Sequence, residues 1–231
     1  MNKLVPGTIS ENVRRLLSEL PRGVRLEAAA KTRQPGEVLE AVGAGVTIIG
    51  ESYVQEAEQM YQSIGNKTHW HLIGHLQKNK VKKAAAIFDM IETIDSAETA
   101  RELDKCCARL NRIMAILIEV NSGQEKQKNG VSPEGVEDLA RTIISLKNLK
   151  LSGLMTIGPA YHDPESLRPY FAETRLIFET LKSLPGSDMK YLSMGMTDSY
   201  RIAIEEGANI VRIGTGIFGE RLDRSNVKSQ S

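Results

Sequence analysis

The chain has 231 residues, 41% of them hydrophobic and 26% charged, with a formal net charge of +1. That length can bury a substantial core, the balanced charge offers no footprint for nucleic acid, and no run approaches the ~18 apolar residues of a membrane span. The opening "MNKLVPGTISENVRRLL" lacks the apolar stretch of a secretory signal, so a cytoplasmic protein without membrane contact is expected.

In chain order, "ISENVRRLLSEL" reads as a leading helix. "VRLEAAA" reads as a strand, followed by the helix "PGEVLEAVGAG" with Pro35 near its start and Gly43 and Gly45 at its end. The strand "VTIIGES" precedes "VQEAEQMYQSIG", and "THWHLIG" precedes "KNKVKKAAAIF". "MIETID" leads into "SAETARELDKCCARL", where Ser96 is the expected N-cap. "IMAILIEVN" leads into "SPEGVEDLARTIISL", with Pro133 at the first helical position behind Ser132. "LKLSGLMTIG" precedes "RPYFAETRLIFETLKSL", "KYLSMG" precedes "DSYRIAIEEG", and "NIVRIGTGIFG" closes the series. Cys106 and Cys107 are helix neighbours pointing about 100° apart. That spacing suits neither a routine disulfide nor a metal clip, so both are expected to pack, in a reducing compartment.

Strands alternating with helices predict parallel βα units, and eight of them close into a (β/α)8 TIM-type barrel. The expectation is a single domain over residues 1–231 with a frayed tail from about residue 222. An open doubly wound sheet is the competing architecture. Gly214, Gly216 and Gly219 spell G-x-G-x-x-G, but a dinucleotide fingerprint needs a helix, a second strand and an acidic residue about 20 positions on. Twelve residues follow Gly219, and the fingerprint fails.

In a barrel, ligand chemistry sits at the C-terminal ends of the strands, with phosphate held after strands 7 and 8. Those loops carry Ser193, Met194 and Gly195, and Gly214, Thr215 and Gly216. They offer hydroxyl and N–H donors on facing loops, unless the glycines only make tight turns. Lys31 ends the first strand behind three alanines, with Arg33 two places on. A lysine held beside other cations is a better nucleophile, although a lysine at a strand end is more often solvated. Lysine and phosphate cup together suggest a Schiff base with a phosphorylated carbonyl compound, either pyridoxal phosphate or an aldolase-type sugar phosphate. Arg212 alternates against Val211 and Ile213, so it points into the barrel. There it either faces a pyridine nitrogen or pairs with a carboxylate. His69 and His71 form an H-x-H on one strand face, but only His162 follows His75 downstream, too few ligands for a barrel metal hydrolase.

Longer blocks then carry a resemblance: "AAAKTR", "GESYVQEA", "HWHLIGHLQKNKVK", "IEVNSGQEKQKNGV", "LSGLMTIGP" and "LSMGMTDSYRIAIEEGANIVRIGTGIFGER". Together they are similar to the pyridoxal phosphate homeostasis protein family, relatives of the N-terminal barrel of bacterial alanine racemases. The resemblance implies pyridoxal 5'-phosphate as cofactor, held on Lys31 as an internal aldimine. It implies phosphate contacts from Ser193, Gly214 and Thr215, and Arg212 beside the pyridine nitrogen. Lys128 corresponds to a lysine implicated in secondary cofactor binding or transfer. The family usually has asparagine where Ser52 stands here, and serine makes fewer hydrogen bonds.

The function the resemblance implies is intracellular buffering and delivery of the cofactor, with PLP-dependent apo-enzymes as recipients. Racemisation needs acid/base groups on both faces of the α-carbon. In alanine racemases the second base, a tyrosine, comes from a C-terminal domain of the partner subunit. This chain is expected to end with its barrel, so a non-catalytic monomer is expected and an amino-acid racemase is the alternative.

Overall fold

A closed ring of parallel strands organises the computed structural model, which describes residues 7–159, 161 and 163–220. The expected frayed tail lies outside the described residues. The strands are β1 (Arg25–Ala29), β2 (Ile48–Glu51), β3 (His69–Leu72), β4 (Met90–Ile94), β5 (Met114–Glu119), β6 (Leu149–Met155), β7 (Tyr191–Ser193) and β8 (Ile210–Ile213). They pair in sequence order, and β8 returns to β1 with Arg212 opposite Glu27. All eight expected strands are present, and the open-sheet alternative is excluded by that closure.

Helices follow each strand in turn: α2 (Pro35–Gly43), α3 (Val54–Ile64), α4 (Val81–Ile87), α5 (Ala97–Arg109), α6 (Val136–Ile144), α7 (Arg168–Leu181), α8 (Tyr200–Glu205) and the single turn α9 (Thr215–Phe218). The leading helix α1 (Ile9–Glu19) starts at a capping box, in which Thr8 accepts from the Glu11 N–H and Glu11 from the Thr8 N–H. Ser96 caps α5 as expected, accepting from the Thr99 N–H at 3.3 Å. Pro133 opens a 3-10 turn behind Ser132 rather than the α-helix itself, which starts at Val136.

The main core lies between the strand ring and the helices. In α6 the buried residues are Val136, Leu139, Ala140 and Ile143, the one-sided spacing of a helix packed on a sheet. The same spacing buries Cys106 and Cys107 on the inner side of α5 as free thiols, and burial pushes the Cys107 thiol up to about 11. A thiol held that high is packing material rather than a nucleophile. Phe171 of α7 is fully buried, and truncating it to alanine would cost about 3–5 kcal/mol.

Inside the ring the filling is different. Met90, Leu117 and Met155 form a small separate apolar cluster. Glu27, His71, Glu92, Ser193 and Arg212 are all buried among the strands, none more than 4% exposed. Their place in the fold decides how the barrel mouth is built.

Candidate functional site

Lys31 follows β1 after Ala30, half-buried at the C-terminal end of the ring. Its Nζ stands 4.8 Å from the ring centre of Tyr53, which follows β2 and is half-exposed. A cation over an aromatic face in such a setting is worth about 0.5–1 kcal/mol. The next residue, Thr32, has φ of +65°, a region that a β-branched residue enters only under strain. The Thr32 N–H donates to Glu56 Oε2 at 3.1 Å and Arg33 N–H to Ala30 O at 2.9 Å, so the turn carrying Lys31 is fixed on both sides. Such strained residues concentrate at functional sites.

Arg33 is not a second cation in the mouth. Its guanidinium donates to the carbonyls of Phe218 at 3.2 Å and Gly219 at 2.5 Å, and lies 5.3 Å from the Phe218 ring centre. It therefore holds the end of the α9 turn against the start of α2, a structural role that proximity in sequence to Lys31 did not suggest.

The loops after β7 and β8 do face each other. Thr215 Oγ1 donates to Thr197 Oγ1 at 3.0 Å, and the Gly216 N–H donates to the same oxygen at 3.1 Å. With both lone pairs of Thr197 occupied, its own proton points away and is free to donate. Thr197 was missed by sequence reasoning; its signal was a hydroxyl within "MGMTDS". The Gly216 N–H is engaged by Thr197, and a Cβ there would meet Ile213 Cγ2 at 2.8 Å. Packing alone explains that glycine. Gly214 differs: its φ is −105°, and a Cβ would meet nothing closer than Ala29 O at 3.4 Å. The protein's own packing does not require glycine at 214, which suits close approach of an external group to the backbone.

Three other expected cup residues have partners within the protein. Ser193 is fully buried; its hydroxyl donates to Glu92 Oε2 at 2.6 Å and accepts from Arg212 Nη1 at 2.6 Å. With its one hydroxyl proton on Glu92, this side chain has none left for another acceptor. Met194 is buried and its N–H donates to Ile210 O at 3.1 Å, completing the sheet. Gly195, at φ +87°, makes the turn out of β7 and accepts the Arg212 N–H at 3.1 Å.

Arg212 points inward as its alternation predicts. Its Nη2 donates to Thr156 O at 2.7 Å, beside the hydroxyl bond to Ser193. Among the described residues it pairs with no carboxylate directly; that of Glu92 lies one hydroxyl away. Beyond Glu92, His71 Nδ1 is 2.8 Å from Glu92 Oε1 and 3.7 Å from Glu27 Oε2. The two carboxylates outweigh burial and hold the His71 ring cationic, pushed up to about 10. Burial and the neighbouring Glu92 push Glu27 up to about 7.

Among the described residues, Glu27, His71 and Glu92 offer ligand atoms within 4.8 Å of one another. A metal would need His71 to surrender the proton that these carboxylates hold in place, so the arrangement fits an ion triad. Sequence reasoning missed both glutamates. Their signal was a carboxylate inside the apolar runs "RLEAA" and "MIETI", on the inward-facing parity.

Lys128 lies in the β5–α6 loop, donating to Gly158 O at 2.9 Å and paired with Glu125 at 2.5 Å. It lines a cavity of about 200 Å³ with Glu119, Ser122 and Gly158. A larger hollow of about 430 Å³ lies at the opposite end of the ring, lined by Thr47, Lys67, His69 and Asp89. It is remote from Lys31 and Thr215. No helix among the described residues is long and apolar enough to cross a membrane.

Comparison with known proteins agrees with this architecture. Residues 6–222 match the family model described as alanine racemase, N-terminal domain. The pyridoxal phosphate homeostasis protein of Aquifex aeolicus is 38% identical over 217 residues, covering 92% of this chain and 95% of that protein. The structure of PipY from Synechococcus elongatus PCC7942 with PLP bound superposes with a TM-score of 0.85 at 31% identity, covering 92% of this chain and all of that one. An alanine racemase of Clostridium difficile 630 shares the fold at 16% identity and a TM-score of 0.75, with 56% of its length covered. The chain belongs to the alanine racemase N-terminal domain family, among its pyridoxal phosphate homeostasis proteins.

Proposed function

We propose that this chain binds pyridoxal 5'-phosphate at the barrel mouth and buffers and delivers it inside the cell, without catalysing amino-acid chemistry of its own. The observation that carries the reading is Lys31 on its fixed turn after β1, next in the ring to the Gly214–Thr215 turn after β8. PLP supplies an aldehyde, with which a lysine amine condenses, and a phosphate. Lys31 would hold the first. The Thr215 N–H, the Thr197 hydroxyl and the open approach at Gly214 would hold the second. Arg212 would face the ring nitrogen with a permanent positive charge, which keeps that nitrogen unprotonated and suits holding better than carbanion chemistry. The names of the Aquifex relative and of PLP-bound PipY support the same cofactor. Lys128, lining its own cavity beside the mouth, would serve secondary binding or transfer. Recipients would be PLP-dependent apo-enzymes, and a monomer suffices for the role.

A racemase is the second reading, favoured by the Tyr53 phenol beside Lys31. One experiment separates the two. The PLP-loaded protein is mixed with a PLP-dependent apo-enzyme and, separately, with L-alanine. Reactivation of the apo-enzyme without alanine racemisation supports the carrier, and racemisation at enzyme-like turnover refutes it.

A further inference from the structure

The interiors of (β/α)8 barrels are filled mainly by branched aliphatic side chains in layers. Here the middle of the ring is ionic, and its bonds form one line. His71 Nδ1 meets Glu92 Oε1 at 2.8 Å, Ser193 Oγ donates to Glu92 Oε2 at 2.6 Å, and Arg212 Nη1 donates to Ser193 Oγ at 2.6 Å. The far side of the guanidinium is tied by Nη2 to Thr156 O at 2.7 Å. Thr156 is itself held by Val120 O at 2.9 Å and Ser122 Oγ at 3.0 Å. Charge alternates along the line: His71 is kept cationic by its two carboxylates, and Glu92 is held below the usual carboxylate range by His71 and Arg212. Glu27 and Glu119 also face this layer, each pushed up to about 7 mainly by burial.

We propose that Glu92, acting through Ser193 and backed by His71, is the positioning residue that fixes the Arg212 guanidinium beneath the cofactor ring. The role rests on the PLP reading above and concerns residues well below the mouth. Glu92 must accept two hydrogen bonds at once, from a cationic imidazole and from a hydroxyl. A glutamine has one acceptor and one NH2 and carries no charge, so Glu92→Gln cannot accept from His71 and Ser193 together. The anion that anchors the line is lost, the Ser193 hydroxyl is free to turn, and its bond to Arg212 is no longer fixed.

The test reads Arg212 directly. Side-chain 15N NMR is recorded on the protein without PLP, with the Arg212 signals assigned by their loss in Arg212→Lys. PLP is then added, and its dissociation constant and visible absorption band are measured. Slowly exchanging Arg212 Nη–H signals are expected in the wild type. They should collapse in Glu92→Gln, with PLP binding weakened roughly tenfold, the effect of losing one hydrogen bond to a charged group. The visible band should also change its pH profile, which a merely structural role would not move. Ser193→Ala removes only the bridging oxygen and is expected to give the same result, should Glu92→Gln fail to fold. Folded variants that keep the Arg212 signals, or that bind PLP with wild-type affinity and an unchanged band, overturn the proposal. If the wild type forms no Lys31-dependent band, the PLP reading fails, and the NMR signals alone decide whether Glu92 positions Arg212.

Discussion

The Gly216 N–H donates to Thr197 Oγ1 at 3.1 Å, tying the turn after β8 to the loop after β7. Thr215 Oγ1 adds a second bond to the same oxygen at 3.0 Å. Two donors from the turn after β8 therefore converge on one hydroxyl of the β7 loop, whose own proton remains free. A hydroxyl so placed is oriented before any anion arrives, and little ordering entropy is lost on binding.

This arrangement predicts the effect of deleting it. Thr197→Val, nearly isosteric, should weaken PLP binding about 5–10-fold, and Thr197→Val with Thr215→Val by more than either alone. A net hydrogen bond of about 1 kcal/mol sets that scale. Equilibrium titration of each variant with PLP checks it, and wild-type affinity in the double variant would remove both residues from the cup.

Gly195 makes a stability prediction. At φ +87° an added Cβ would lie 2.6 Å from Ala203 Cβ and 2.8 Å from Tyr200 Cα. Neither is the end of a flexible side chain, so β7 and α8 must part. Gly195→Ala should cost about 2–4 kcal/mol, combining left-handed strain with overpacking. Urea unfolding measures it through the midpoint.

The barrel's charged strand ends give a pH prediction. Glu51, fully buried at the end of β2, has no hydrogen-bond donor on either carboxylate oxygen. Burial first and the nearby Glu56 second push it up to about 8. A carboxyl raised in the folded state contributes stability that is fully present below about pH 4.5. That contribution is lost as pH rises through about 8. Each unit corresponds to about 1.4 kcal/mol, so the full loss between 4.5 and about 8 is on the order of 5 kcal/mol. Unfolding free energies at pH 6 and pH 9 should therefore diverge in the wild type. They should diverge less in Glu51→Gln, whose side chain carries no charge to bury.

The ring was legible from the sequence because strands and helices alternate without a break, and each helix keeps one apolar side. That Lys31 and the Gly214–Thr215 turn stand at the same end of the ring was legible because each follows a strand, β1 and β8. What escaped was the division of labour inside the ring. Ser193 sits in the phosphate loop by sequence, yet points down to Glu92 and Arg212, because strand parity sends it inward. Arg33 is two residues from Lys31, yet reaches across to Phe218 and Gly219. Such assignments depend on where strands close on each other, 101 residues apart for Glu92 and Ser193, and no local pattern encodes that distance.

The most direct test of the central claim is the absorption spectrum of the purified protein with added PLP, wild type beside Lys31→Ala. The account predicts a visible band in the wild type, distinct from free PLP, that Lys31→Ala abolishes. An identical band in both would place the cofactor on another lysine, and no band in the wild type would contradict covalent holding of PLP at this mouth.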